Sequence, residues 1–348
     1  MRSARSGEMN GASRSSVRGG HMTPSRPPRA TRRGLLKRAA WAGLGATVVP
    51  RLARSQSADR LPTRTLGRTG AKVTLLGLGT APVGETRLPV DEGARIFAET
   101  LDRGVNYVDT ARVYGLAEEM LGEVLPRRRD GLFIATKVSA DTAEQAQKHF
   151  EESLRLLKTD RVDLLHIHNV GSRNVDKVLG PGGSLEYVLK MKESGKTRFV
   201  GITGHSRASH FQRILESGKI DVVQCVMNYA DRNTYNFEET VLPRARQAGC
   251  GVIAMKVYAG IKGGFKNHRN AGVGCVAEPE WMPKALAYAL DLEGVSLALI
   301  GPFSVEQTVQ NVGFARAYRP LAEGDREALL AHGKAIAPGL GTRYGPPQ

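Results

Sequence analysis

The stretch Val105-Asn106-Tyr107-Val108-Asp109-Thr110-Ala111-Arg112-Val113-Tyr114-Gly115 decides how the rest of the chain is read. It opens as a buried strand, since Val105, Tyr107 and Val108 are good strand formers, and it ends in closely spaced polar groups. Asp109 falls where a strand runs out, and Tyr114 follows five residues later in a loop. An acid at a strand end and a phenol just beyond it are what a chemical site on a rigid scaffold looks like. A turn-capping Asp and a packing Tyr would read the same way, so the weight rests on what surrounds them.

Outward from that stretch, short apolar, β-branched runs alternate with segments of helical period. The strand runs are Val73–Leu78, Val105–Asp109, Leu132–Val138, Val162–His168, Phe199–Thr203, Val222–Met227, Gly251–Val257 and Ser296–Ile300. Between them lie amphipathic patterns such as Glu92–Asp102, Ala143–Leu157 and Leu185–Glu193. Near-continuous apolar strands alternating with helices imply a parallel sheet covered by helices. Eight units over about 290 residues predict closure into a (β/α)8 TIM barrel of class α/β, spanning 59–348. No Gly-x-Gly-x-x-Gly follows any strand, which argues against an open dinucleotide-binding sheet.

Residues 1–58 are different material. Thr31-Arg32-Arg33-Gly34-Leu35-Leu36-Lys37 is a twin-arginine pattern, followed by the apolar run Ala39–Val49 and a small-x-small cleavage pattern at Ala53-Arg54-Ser55. The expectation is an unstructured signal that engages the twin-arginine export machinery and sends the protein to the periplasm, with cleavage near Ser55 or Ala58 and with Met22 able to serve as the start as well as Met1. These residues hold 12 of the 50 Lys and Arg and one of the 34 Asp and Glu. The remainder therefore carries 38 bases against 33 acids, an ordinary balance, and the overall charge of +16 gives no reason to expect nucleic acid as a partner. Cys225, Cys250 and Cys275 form no Cys-x-x-Cys pair and imply no redox or metal role.

In a parallel barrel the C-terminal strand ends share the functional face. The predicted ends there are Gly79-Thr80, Asp109, Thr136-Lys137, His166-Ile167-His168-Asn169, Thr203-Gly204-His205, Asn228-Tyr229, Lys256 and Gly301. A lysine in so apolar a strand needs a carboxylate to stay charged, and Asp109 on the adjacent strand is the candidate. His166, His168 and His205 suggest a metal, but no third-ligand spacing supports one, and none is expected.

Asp109, Tyr114, Lys137 and His168 match, in order and spacing, the catalytic tetrad of the aldo-keto reductases, which this chain resembles over about 61–320. The flanks match too: L-G-R-T-G-A-K-V-T-L-L-G-L-G-T from Leu66, R-V-D-L-L-H-I-H from Arg161, V-V-Q-C-V-M-N-Y from Val222 and I-G-P-F-S-V-E-Q-T-V-Q-N from Ile300. The resemblance implies an oxidoreductase that moves a hydride between a nicotinamide cofactor and a carbonyl or alcohol of an aldehyde, ketone or sugar. Tyr114 would be the general acid/base, its phenol eased by Lys137 and Asp109, and a neutral His168 would orient the carbonyl.

The resemblance also implies cofactor contacts at Gly79, Thr80, Thr203, Gly204, Gln224, Met255, Gly301, Ser304, Gln307, Gln310 and Asn311, while Lys256, unusual at the end of the seventh strand, reads as a contact to an anionic substrate or the cofactor phosphates. Gly204 stands where the family has an Asn, and Met255 stands where many members stack a Tyr on the nicotinamide. Gly301 and Gln307 replace cations common in NADP-specific members, so NADP(H) is favoured and NAD(H) stays open. These departures motivate one alternative, a cofactor-bound sensing module with little turnover. A Schiff-base aldolase on Lys137 is disfavoured, because a lysine paired to Asp stays protonated. The loop Tyr258–Glu280 (Lys262, Lys266, His268, Arg269) reads either as a solvated loop or as a flap over the site.

Overall fold

The structure is a computed structural model that describes residues 60–267, 269–270 and 272–348. The twin-arginine reading of residues 1–58 therefore lies outside the described residues, as do His268 and the side chain of Lys266. An antiparallel hairpin of β1 (Thr63–Thr65) and β2 (Lys72–Thr74) comes first. It leads into β3 (Leu76–Gly79), β4 (Tyr107–Asp109), β5 (Phe133–Val138), β6 (Val162–Ile167), β7 (Thr197–Gly204), β8 (Val222–Val226), β9 (Gly251–Met255) and β10 (Val295–Ile300). These eight strands form a closed barrel in sequence order, with β10 paired in parallel to both β3 and β9. Every residue of β4, β5 and β6 is buried, as strands enclosed by helices outside and side chains inside require.

The helical periods hold. Glu92–Asp102 lies within the helix Val90–Asp102, Ala143–Leu157 is a helix with those bounds, and Leu185–Glu193 lies within Ser184–Glu193. Thr142 starts the second of these by accepting a hydrogen bond from the Gln145 amide, as an N-cap does.

One expectation is corrected. The run Val73–Leu78 is not a single strand but is broken at Leu75 into β2, outside the barrel, and β3, within it. The cause is local hydrogen bonding. The Thr74 amide donates to Asn106 Oδ1 (2.8 Å), the Thr74 hydroxyl donates to the Leu76 carbonyl (2.7 Å), and the Leu75 amide donates to Pro62 O. The hairpin this creates closes the N-terminal end of the barrel. Leu66 is fully buried there, and a Cβ on Gly251 would fall 2.6 Å from its Cδ1, so the first residue of β9 has to be small. The Arg68 amide donates to Gly249 O, and its guanidinium pairs with Asp221 beside the start of β8.

At the opposite end the chain after the helix Glu323–Leu340 returns across the mouth. Pro346 O and Pro347 O accept hydrogen bonds from the Arg207 and Ala208 amides, and the Tyr344 amide donates to the Tyr235 hydroxyl at 2.7 Å.

If the hairpin is a structural plug, Leu66→Ala should lower unfolding stability by about 2–5 kcal/mol, the usual cost of emptying a large core position. Urea denaturation would show this, with ligand binding at the other end of the barrel unchanged.

Candidate active site

The site is built on two adjacent strands. Asp109 ends β4, and Lys137 lies on β5 two residues beyond the one registered against it. Both side chains point into the barrel, where Lys137 Nζ meets Asp109 Oδ2 at 2.6 Å and donates to Thr110 O at 2.8 Å. They are 1% and 2% exposed, so water stabilises neither charge. Burial pushes the Asp109 carboxyl up and the Lys137 ammonium down, and each opposes the shift of the other. The short contact and the second acceptor at Thr110 favour the charged pair.

Tyr114 is carried by the turn after β4. Gly115 has φ +55, and a Cβ there would sit 2.3 Å from Gly84 O, so only glycine lets the turn lie this close to the loop after β3. The Leu116 amide donates to that same Gly84 oxygen, and Arg112 is tied to the buried Glu118 at 2.9 Å. The Lys137 ammonium lies over the Tyr114 ring, 4.6 Å from its centroid. The Tyr114 hydroxyl and His168 Nε2 are 3.5 Å apart, with the rings nearly perpendicular at 85°. This spacing is loose for a hydrogen bond, as is common where a ligand completes the contact.

The electrostatics differ from the sequence expectation at one point. Burial, reinforced by the charges of Asp109 and Glu85, pushes the Tyr114 phenol well above its usual range. Lys137 does not reverse this shift, with two of its N–H groups donated to Asp109 and Thr110 and its charge 4.6 Å from the ring centroid. The phenol is thus held as an acid at neutral pH. Burial and the nearby Lys137 charge hold His168 and His166 well below the ordinary histidine range, so both rings are neutral. His166 lies deeper, against β7, where a Cβ on Gly201 would fall 2.4 Å from its Nδ1. Among the described residues no cluster of His, Cys, Asp or Glu could hold a metal ion.

Above this floor is a cavity of about 540 Å³, within the usual size of small-molecule sites. Of the residues singled out in the sequence, Gly79, Asp109, Tyr114, His168, Gln224, Met255, Lys256, Gly301, Gln307, Gln310 and Asn311 line it. Lys137 lies beneath, behind Asp109 and the Tyr114 ring. Thr80, Thr203, Gly204 and Ser304 do not line it. The Thr80 hydroxyl is spent on Asp109 O at 3.0 Å, and Thr203 is buried in register with Gln224. A Cβ on Gly204 would lie 3.0 Å from the Phe211 ring, and Ser304 caps the helix Val305–Arg316 by accepting from the Gln307 amide.

Gln224 Oε1, on the cavity wall, is buried and without a protein partner. Gly79 and Gly301 offer side-chain-free surface, and the capped helix start is the kind of place where an anion is welcome.

Sequence reasoning missed Glu85 and Tyr344, both in the lining, and Arg343 behind it. Tyr344 packs on His205 with ring centroids 5.3 Å apart. Only the helical stop at Gly341 hinted that a free tail follows; nothing local says that it folds back over the mouth. Lys256 and Ala259 adopt left-handed conformations, with φ +58 and +57. Such geometry costs a non-glycine residue about 1–2 kcal/mol and clusters at working sites.

A buried Lys–Asp pair, a phenol and a neutral imidazole thus converge at the C-terminal mouth of a closed parallel barrel, beside a cavity of small-molecule size, as in a class of barrel enzymes. The chain belongs to the aldo/keto reductase family, whose profile, described as "Aldo/keto reductase family", matches residues 75–276. It is an oxidoreductase of that family, and the family works with a nicotinamide cofactor on small carbonyl compounds. It is similar to L-galactose dehydrogenase of Arabidopsis thaliana, 31% identical over 314 residues that cover 78% of this chain and 92% of the relative. It is also similar to pyridoxal 4-dehydrogenase of Microbacterium luteolum, at 26% identity over 72% and 91% of the two chains. The holo form of an aldo-keto reductase from Bacillus halodurans shares the fold, with a TM-score of 0.61, 23% identity, and coverage of 78% of this chain and 96% of that one.

The neutral buried histidines give a pH signature. Their folded-state affinity for protons is depressed, so the stability they contribute is whole above the unfolded value of about 6.5 and is lost as pH falls below it. Unfolding midpoints in urea should drop between pH 6.5 and 5, and His166→Asn should flatten that slope by up to about 1.4 kcal/mol per pH unit. An unchanged slope would mean that His166 is not held neutral.

Proposed function

We propose that this chain moves a hydride between a nicotinamide dinucleotide and the carbonyl or alcohol carbon of a small molecule, with Tyr114 handling the proton. The observation that carries the reading is the convergence of Tyr114, His168 and the Lys137–Asp109 pair on the floor of a cavity of about 540 Å³. When bound, the nicotinamide ring gives or takes the hydride.

The side chains do the rest. Tyr114, protonated at neutral pH, gives its hydroxyl proton to the substrate oxygen as negative charge develops there, and takes it back when the reaction runs from the alcohol. The Lys137 charge under the ring stabilises the phenolate left behind, and Asp109 keeps that ammonium charged and in place. His168, neutral, donates from Nε2 to the same substrate oxygen and fixes its direction. Gln224 offers its free oxygen to the carboxamide. Gly79, Met255, Gly301, Gln307, Gln310 and Asn311 form the rest of the dinucleotide channel, and Lys256 faces its phosphates or an anionic part of the substrate. Thr80, Thr203, Gly204 and Ser304 support that channel from behind, through the strand ends and the helix start. NADP(H) is the favoured dinucleotide, with NAD(H) second. The similarity to L-galactose dehydrogenase makes sugars with a free carbonyl or lactol carbon the first substrates to try.

Fluorescence titration with NADPH and NADH tests the channel, and a carbonyl screen with Tyr114→Phe as control tests the chemistry. Tyr114→Phe should lose about 10²–10⁴-fold in kcat, the usual contribution of a positioned acid, while dinucleotide affinity stays unchanged. Full activity in Tyr114→Phe would remove Tyr114 from the mechanism.

For residues 1–58 we propose a separate role as a twin-arginine address that delivers the barrel of residues 59–348, already folded, to the periplasm. Replacing Arg32 and Arg33 together by Lys should leave the protein in the cytoplasmic fraction. Periplasmic recovery of that double variant would refute the route.

A further inference from the structure

The two left-handed residues after β9 are held from outside their own loop. Lys256 O accepts from Asn228 Nδ2 at 3.0 Å, and Ala259 O accepts from the Arg343 guanidinium at 2.9 Å. The same Arg343 nitrogen meets Asp231 Oδ2 at 2.8 Å, in a pair that is 9% and 2% exposed. Asp231 is in turn fixed by Asn228, whose Nδ2 reaches Asp231 Oδ2 at 2.7 Å and whose Oδ1 takes the Asp231 amide at 2.8 Å. One polar network thus joins three places far apart in sequence: the turn after β8, the exit from β9 and the last residues of the chain.

What this network supports is a wall of the cavity. Tyr258, Gly260 and Ile261 line it on one strand of the paired loop base, and Cys275 lines it on the other. The base is a short antiparallel ladder in which the Val276 amide donates to Gly260 O (2.8 Å) and the Ala277 amide to Tyr258 O (3.1 Å). Beyond it the Tyr258 hydroxyl donates to Asn311 Oδ1 at 2.7 Å, so the wall reaches the helix that begins at Val305. On the side of the tail, the Arg343 guanidinium lies 4.6 Å from the Tyr344 ring centroid, and a Cβ on Gly260 would fall 2.5 Å from the Tyr344 hydroxyl. The tail and the loop base are in contact over both backbone and side chain.

We propose that Arg343 is a positioning residue for the dinucleotide channel: by clamping Ala259 O to Asp231 it keeps Lys256–Ile261 in the strained geometry that forms the channel wall, so the C-terminal segment sets how long a dinucleotide stays bound. The strain makes the clamp necessary. A left-handed Lys and a left-handed Ala within four residues relax toward ordinary backbone unless something outside holds their carbonyls, and the two hydrogen bonds that do so are the ones described. Both bonds leave one nitrogen of a charged group whose counter-ion is buried, so each is charge-assisted and stronger than a bond from a neutral donor.

The ligand half of this inference rests on the function proposed above; the positioning half does not. Two measurements on the full chain separate them, using Arg343→Met and the milder Arg343→Lys. The first is hydrogen exchange of the ligand-free protein. Arg343→Met should speed exchange of the Val276 and Ala277 amides by about tenfold or more, the effect of losing a charge-assisted hydrogen bond. Amides of β5 and β6 should keep the wild-type rate, and Arg343→Lys should fall between. The second is stopped-flow release of NADPH, expected to be faster by about the same factor, with the rate of a single turnover from the preloaded complex little changed. Wild-type exchange at the loop base in Arg343→Met would overturn the positioning role. Acceleration spread equally over the barrel would overturn it too, by showing a general stability effect. Unchanged NADPH release beside faster local exchange would overturn the control of residence. Failure of the wild-type protein to bind either NADPH or NADH would overturn the proposed function and the residence claim together, while the exchange result still decides the positioning role.

Discussion

Everything at the mouth of this barrel is arranged around a positive charge that has no water. Lys137 is fully enclosed, and it stays an ammonium because Asp109 is 2.6 Å away and Thr110 O accepts a second hydrogen bond from it. Such a pair is not a device for stability, since removing two ions from water costs about as much as their attraction returns. Its value is in what it imposes on its neighbours. With the charge fixed beneath it, the Tyr114 ring has a cation on one face, while burial first and the Lys137 charge second keep His166 and His168 neutral. A protonated phenol and a neutral imidazole 3.5 Å apart are then the default state of the floor.

The two ends of the barrel divide the remaining work. At the N-terminal end the β1–β2 hairpin, Leu66 and the Arg68–Asp221 pair fill and seal, using apolar burial and ordinary hydrogen bonds. At the C-terminal end, strain is tolerated: Lys256 and Ala259 are left-handed, and a carboxylate at Asp231 is buried with Arg343. Apolar burial dominates at the end the hairpin closes, while two left-handed residues and a buried ion pair stand together beside the cavity.

The barrel was legible because its signal is periodic and local. All eight strand runs reappear within a few residues of their predicted bounds, and the helix Ala143–Leu157 keeps both ends, since Thr142 caps it and Lys158 ends it in a left-handed conformation. The break at Leu75 was not legible, because it depends on Asn106, more than thirty residues away, supplying the acceptor that a strand would have supplied. The floor of the site was readable for a related reason: an acid, a lysine and a histidine at successive strand ends must converge once the sheet closes. The direction of the Tyr114 shift was not, because it depends on how deeply the ring is buried and on which face the lysine occupies. Arg343 and Tyr344 were invisible for the opposite reason to the strands. Their partners Asp231, Ala259 and His205 lie about 80–140 residues back along the chain, and no periodicity announces a tail that folds over a mouth.

Hydride movement at the cavity floor is the event on which the proposed function depends. The most direct measurement follows deuterium from NADPH labelled at the nicotinamide C4 position to an aldose or other carbonyl substrate, with the product carbon read by mass spectrometry. Deuterium should appear on the former carbonyl carbon, from one face of the labelled ring only, and the transfer should disappear in Tyr114→Phe. Product formed without the label, or labelled equally well by Tyr114→Phe, would contradict the proposed function.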